Sequence, residues 1–231
     1  MQFAVWHAEH GSPLTSTVNT RRLQRLYFPF LTLSRHFRHR RARWVQKEFH
    51  SCKSVIDLGG SPATWADLTF PERITIVNLK ERPPDTALDG RSHYVRADAL
   101  LTPFPDQVFD LAFANSVIEH VGDTKQKETF ASEMLRLGKH VYCQTPNRWF
   151  PVEPHYLALL VHWLPRACFT YFVHRYMTVG GLITKPSRER HERVKAGIRL
   201  LSRRELQRLF PGCKIKTERF LGIPKSYAAY R

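Results

Sequence analysis

Three polar signals sit at the ends of short apolar runs, and their side chains suit one kind of ligand. The stretch VIDLGGSPAT, Val55 to Thr64, reads as a buried strand entering a glycine turn. Gly59 and Gly60 let the backbone approach a ligand closely. Asp57 places a carboxylate at the strand's end, within reach of a cationic amino group directly or through water. Asn78 closes the next apolar run, and its amide can both donate to and accept from ribose hydroxyls. Asp98 closes a third and can accept from an adenine amino group, while the backbone amide of Ala99 can read a ring nitrogen. The set asks for a nucleoside that also carries an amino group.

The elements that must hold these residues follow from the pattern between Ser54 and Thr145. SVIDLG, ITIVNL, YVRA, DLAFAN and HVYCQT are short, β-branched or aromatic, and bounded by Gly, Pro or polar clusters, as buried strands are. Strands alternating with crossovers imply a mostly parallel sheet, whose ligands bind at the carboxyl ends of its strands. Asp123 and Gln126 form a capping box for a helix with Phe130, Met134 and Leu137 inward. Ser202 and Glu205 cap a second, with Leu206, Leu209 and Phe210 on its apolar side and Pro211-Gly212 as its stop. CKIKTERFLGI and KSYAAYR read as two closing strands.

The flanks are less regular. Residues 1–20 read as a flexible tail. Residues 21–50 read as a basic helical extension that Pro29 interrupts, with a second helix starting near Ser34. On that helix Phe37, Trp44, Val45 and Phe49 share one face, and Arg35, Arg38, Arg40, Arg41, Arg43 and Lys47 are expected to point outward. The main domain spans 51–231, with the Pro-, His- and aromatic-rich stretch 146–199 as an insertion.

The bulk numbers bound the class. A chain of 231 residues with 42% hydrophobic and 12% aromatic residues is one folded domain rather than a disordered segment. Cys52, Cys143, Cys168 and Cys213 show no metal-ligand or redox spacing, which fits a reducing compartment. Met1 to Asn19 lacks the basic and apolar regions of a signal peptide. The apolar stretch Tyr156 to Ile183 is broken by Pro165, Arg166, His174 and Arg175, so the chain reads as cytoplasmic. Lys plus Arg total 36 against 20 Asp plus Glu, and a net charge of +16 attracts phosphates, anionic lipids and acidic ligands.

The order Asp57-x-Gly59, Asn78, Asp98-Ala99 and then FPDQVFDLAFANSVIEHV resembles the class I S-adenosylmethionine-dependent methyltransferases, most closely the methyltransferase type 11 group. The resemblance spans roughly Ser54 to Pro146 and is most specific from Phe104 to Val121. It implies an α/β, Rossmann-like fold. Its seven-stranded, mostly parallel sheet would have helices on both faces and an antiparallel last strand. It implies S-adenosyl-L-methionine as cofactor. Asp57, Gly59 and Gly60 would surround the methionine part, Asn78 would hold the ribose, and Asp98 and Ala99 would contact the adenine. Asn115 and Ser116 would line the sulfonium end. Two departures stand out: Gly59-Gly60-Ser61-Pro62-Ala63 replaces the usual Gly-x-Gly-x-Gly, and Asn78 replaces the usual acidic residue. On that family preference, Asn78→Asp is expected to keep or improve binding. A nicotinamide dinucleotide fits poorly, because Ser61 and Thr64 stand where its fingerprint needs glycines.

Methyl transfer asks the protein chiefly to position and desolvate. Where an oxygen or nitrogen acceptor needs a base, Glu153 and His155, directly after the fifth strand, are the candidates. Trp149, Phe150 and Tyr156 would then be walls. Glu119-His120 is a second pair, read mainly as a loop anchor. Some related enzymes hold a metal with Glu-x-x-Glu-His, but the first Glu position is Ser116 here, so no metal is expected. The acceptor reads first as a small molecule or lipid-like intermediate, and second as RNA or protein, although nothing resembles an RNA-reading module. A fold that binds the cofactor without turnover is a third reading. The basic helix adds an expectation of salt-sensitive contact with an anionic membrane surface.

Overall fold

In a computed structural model of the chain, residues 20–66, 68–79, 81, 90–153, 158–160, 163, 165, 168, 170–178 and 187–231 are described. The stretch read as a tail, up to residue 19, lies outside them.

The strands form where the apolar runs place them. β1 (Ser54–Leu58), β2 (Arg73–Asn78), β3 (Ser92–Arg96), β4 (Phe109–Asn115) and β5 (Gly138–Pro146) are followed, after a small hairpin of β6 (Val152–Glu153) and β7 (Ala158–Leu159), by β8 (Lys214–Phe220) and β9 (Ile223–Tyr230). The main sheet has seven strands in the order β3-β2-β1-β4-β5-β9-β8. β1 to β5 pair in parallel, and β9 runs antiparallel to both β5 and β8. The expected sheet, with its antiparallel last strand, is present. Strand order reverses between β1 and β4, which opens a crevice at their carboxyl ends.

Alternation along the strands feeds two cores. On one face Ala112, Ala114, Val141 and Cys143 meet Phe130, Met134 and Leu137 of α2 (Thr124–Leu137) and Leu206 and Phe210 around α4 (Arg203–Leu209). Both capping boxes, Asp123 with Gln126 and Ser202 with Glu205, are formed as the sequence requires. On the other face Leu111, Phe113 and Tyr142 meet Val45 and Phe49 of α1 (Thr20–Phe49), together with Trp65. Phe113 and Tyr142 stack with centroids 4.9 Å apart.

The basic zone corrects two expectations. It is one continuous helix, α1, and Pro29 lies within it. A proline costs one backbone hydrogen bond and crowds the turn before it. The rest of a 30-residue helix, pinned through Phe37, Val45 and Phe49, carries that cost. Arg35, Arg40, Arg43 and Lys47 are exposed, as expected, but Arg41 turns inward and its side chain is only 11% exposed. Arg41 stands four residues from both Phe37 and Val45, on the face that packs against the sheet.

Of the stretch 146–199, the structure describes the β6–β7 hairpin, a wide helical turn over Val173–Met177 and α3 (Arg188–Gly197). His174 and His191 are buried against each other, Nδ1 to Nδ1, at 3.0 Å. The ends of the stretch are tied to the sheet. Asn147 bridges to Leu201, and the amide of Arg199 donates to the carbonyl of Glu119 at 2.9 Å. Among the described residues no helix is long and apolar enough to cross a membrane.

Candidate functional site

The turn after β1 is built around one carboxylate. Asp57 is fully buried, because β1 is a central strand with neighbours on both sides. Its Oδ2 accepts from the Trp65 indole at 2.8 Å, while Oδ1 is buried with no partner among the described residues. Burial pushes the Asp57 carboxyl up to about 7, against the pull of the Trp65 hydrogen bond. A side chain on Gly60 would overlap this carboxylate, so the glycine is what lets the loop close over Asp57. Gly59 has φ +74, and a Cβ there would lie 2.7 Å from Cγ1 of Val117. The turns after β1 and β4 are thus in direct contact.

Asn78 ends β2 as expected, and its Nδ2 donates to the carbonyl of Gly60 at 2.9 Å. Its amide fastens the glycine turn and leaves Oδ1 as the acceptor for a hydroxyl. A carboxylate at this position has no proton for that carbonyl, which argues against the expectation that aspartate would serve as well. Asp98 lies two residues beyond the end of β3 rather than on it. It is exposed, and its Oδ1 accepts from the amide of Leu100 at 2.9 Å. Ala99 is half-buried against the core, so the Asp98–Ala99 backbone is held while the carboxylate stays open to solvent.

At the end of β4, Ser116 adopts φ +57, a left-handed conformation uncommon for a residue with a side chain. Its amide donates to the carbonyl of Gln144 and its hydroxyl to the Gln144 side chain, each at 2.9 Å. Arg41 completes the arrangement. One of its nitrogens donates to Oδ1 of Asn115 at 2.7 Å and to Gln144 at 3.0 Å. The others grip both oxygens of Glu218 on β8, at 2.9 and 2.6 Å. Burial alone would raise the Glu218 carboxyl, but the Arg41 charge and hydrogen bonds, with the Ser226 hydroxyl, hold it at about 2.

Glu119 is buried in a short 3-10 turn and accepts from the Thr145 hydroxyl at 3.0 Å, whereas His120 is exposed. Of the pair, Glu119 ties this turn to β5. Of the candidate bases, Glu153 is described only as backbone in β6, and His155 lies outside the described residues.

The structure therefore brings Asp57, Gly59, Gly60 and Asn78 together on one side of the crevice and Asn115 and Ser116 on the other. Sequence reasoning missed Trp65, Arg41 and Gln144. The i, i+4, i+8 series Phe37, Arg41, Val45 was the signal available for Arg41. Trp65 had only its place just after the glycine turn, and Gln144 only its place in β5.

Residues 58–140 match the family model described as a methyltransferase domain. The chain's fold resembles that of the N-methyltransferase NodS from Bradyrhizobium japonicum WM9, solved with S-adenosyl-L-homocysteine. The TM-score is 0.53 at 11% identity, over 84% of this chain and 85% of that one. NodS without the ligand gives a TM-score of 0.50 at 13% identity, over 84% and 94%. A possible exported protein from Bordetella parapertussis gives 0.58 at 12% identity, over 96% of this chain and 76% of that one. No curated protein sequence matches the chain.

Proposed function

We propose that this chain, which carries a methyltransferase domain on the class I methyltransferase fold, transfers a methyl group from S-adenosyl-L-methionine to a small-molecule acceptor. The observation that carries the reading is the buried Oδ1 of Asp57, unpartnered among the described residues, beside a glycine turn at the crevice of the sheet. A buried carboxylate oxygen without a partner is costly. A ligand's ammonium group is the partner that would relieve it.

The residues present fit that cofactor. Asp57 would hold its amino group, with Trp65 fixing the carboxylate's orientation. Gly60 lets the loop close over the Asp57 carboxylate, and Gly59 lets it pack against Val117. Asn78 offers an oxygen to the ribose while its nitrogen stays on Gly60. The Asp98–Ala99 backbone would read an adenine edge, and Asn115 and Ser116 would form the opposite wall. When bound, the cofactor supplies an electrophilic methyl group on a positively charged sulfur.

The acceptor side is formed by the ends of β4 and β5 and the segment that follows, from which Glu153 and His155 are the candidates for a base. This segment is the least generic part of the chain, and its aromatic residues favour a small or lipid-like acceptor over RNA. The test is transfer of a labelled methyl group from S-adenosyl-L-methionine into fractionated extract. Label in the low-molecular-weight or lipid fraction supports the reading. Label only in RNA or protein replaces the acceptor class. Tight cofactor binding with no transfer to any fraction identifies a binding-only fold.

A further inference from the structure

The β8–β9 hairpin is irregular where it approaches Arg41. Glu218 pairs with Ser226 and Arg219 with Pro224, so Lys225 is an extra residue with no partner opposite. Such a bulge bends the strand and re-aims a side chain. Here it allows two consecutive residues to reach the same side. The Ser226 hydroxyl donates to Glu218, and the Lys225 ammonium lies 4.6 Å over the ring of Phe37 on α1. The bulge is fixed in place by its own carbonyl, which accepts from the amide of Asn147 at 2.9 Å, just past β5.

The charges in this corner do not balance. Both oxygens of Glu218 are spent on Arg41, and one is shared with Ser226. Arg41 spends a further nitrogen on Asn115 and Gln144. Lys225 donates no hydrogen bond among the described residues, and it faces an aromatic ring, the cation of Arg41 and, at longer range, the Glu218 carboxylate that Arg41 already grips. Two cations thus share one carboxylate that is already saturated. The surroundings are apolar: Phe37 meets Phe220 at 6.0 Å and Phe220 meets Phe150 at 6.4 Å, ring to ring. Through Arg41 the corner is one guanidinium away from Asn115, at the end of β4.

We propose that Lys225 is the recognition point for an anionic group on the methyl acceptor, making that acceptor an organic anion whose apolar body lies against Phe220 and Phe150. This rests on the methyltransferase reading. A carboxylate or phosphate would take up the unused donors of the ammonium, and the aromatic rings would cover the rest of the molecule. Arg41 is a positioning residue here, because its own donors are committed.

The test uses four probes on the full chain, with S-adenosyl-L-homocysteine present: benzoate, phenyl phosphate, benzyl alcohol and inorganic phosphate. Dissociation constants come from titration calorimetry and ligand-observed magnetic resonance. Benzoate or phenyl phosphate should bind about tenfold or more tightly than neutral benzyl alcohol. Lys225→Gln should erase that preference, and Lys225→Arg should keep it. A preference for benzoate alone or for phenyl phosphate alone supports the site and identifies which anion it takes. Inorganic phosphate binding as tightly as phenyl phosphate would overturn the apolar part of the site. Equal binding of the charged and neutral aryl probes by the wild type, or no binding of either, overturns the proposal without using any variant. An unchanged preference in Lys225→Gln also overturns it. S-adenosyl-L-homocysteine affinity in the same samples separates the two readings: lost affinity in the wild type removes the methyltransferase reading, and intact affinity without anion preference removes only this one.

Discussion

The guanidinium of Arg41 donates to the side-chain oxygen of Asn115 at 2.7 Å, and so the N-terminal helix reaches the end of β4 from outside the sheet. The same guanidinium grips Glu218, and the two side chains are 11% and 14% exposed. Buried pairs of this kind are costly to break from one side, because the surviving charge is left without a partner.

Arg41→Leu should therefore destabilise the fold by about 3–5 kcal/mol, and the double change Arg41→Leu with Glu218→Leu should cost less than Arg41→Leu alone. Urea denaturation of the two single variants and the double variant checks this. The pair also sets an acid response. Glu218 is held at about 2 in the fold against an ordinary 4.5. Its contribution is complete above the ordinary value and is lost as pH falls toward 2. Arg41→Leu should flatten that part of the stability profile, and an unchanged acid limb would contradict the assignment.

Asp57 behaves in the opposite sense. Its carboxyl is raised to about 7 from an ordinary 3.8, so between those values the folded chain keeps a proton that the unfolded chain has lost. Stability of the ligand-free protein should fall as pH rises through this window. Asp57→Asn should remove the fall and raise the melting temperature at alkaline pH. The same change should weaken S-adenosyl-L-methionine by about tenfold or more, because it removes the charge proposed to hold the ammonium. Thermal melts and calorimetry at several pH values measure both effects on one sample. Cofactor affinity equal to wild type would remove Asp57 from the site.

At Asn78 the informative change is the smallest one. Asn78→Asp loses the donor to the Gly60 carbonyl and sets a charge beside that oxygen. Cofactor binding should weaken, and the Gly60 turn should become more mobile, visible as faster amide exchange at Gly60 and Ser61. Binding that improves instead would mean that the ribose, rather than the loop, governs this position.

Arg35, Arg40, Arg43 and Lys47 remain exposed on α1. Each contributes about 1 kcal/mol beside an anionic bilayer and less as salt rises. Co-sedimentation with anionic vesicles at low salt, lost at high salt and absent with neutral vesicles, is the expected pattern. Because Phe37, Val45 and Phe49 are buried in the core, the binding expected is at the surface, without insertion. Recovery in the supernatant under every condition would leave these residues as a solvated face.

Much of the fold was legible because alternation and capping are local. β1, β4 and β5 follow from their apolar runs, and the Asp123 and Ser202 caps from residues three apart. The glycine turn was legible too, because Asp57 and Gly60 are neighbours in sequence. Arg41 was not. A guanidinium in a run of arginines looks like its neighbours until a partner, Glu218, arrives from the far end of the chain. Pro29 misled for a related reason: its local cost is real, but tertiary packing further along α1 outweighs it. Asn78 was placed correctly, but its bond to Gly60 depends on how two separate loops meet, which no spacing encodes.

The bridge from Arg41 to Glu218 has an evolutionary corollary. A change that removes either charge leaves the other stranded, so a lineage can lose both together more easily than one at a time. Among relatives of this chain, position 41 of α1 and position 218 of the closing hairpin should therefore change in step. Where both have become apolar, Asn115 must have found another donor or been replaced.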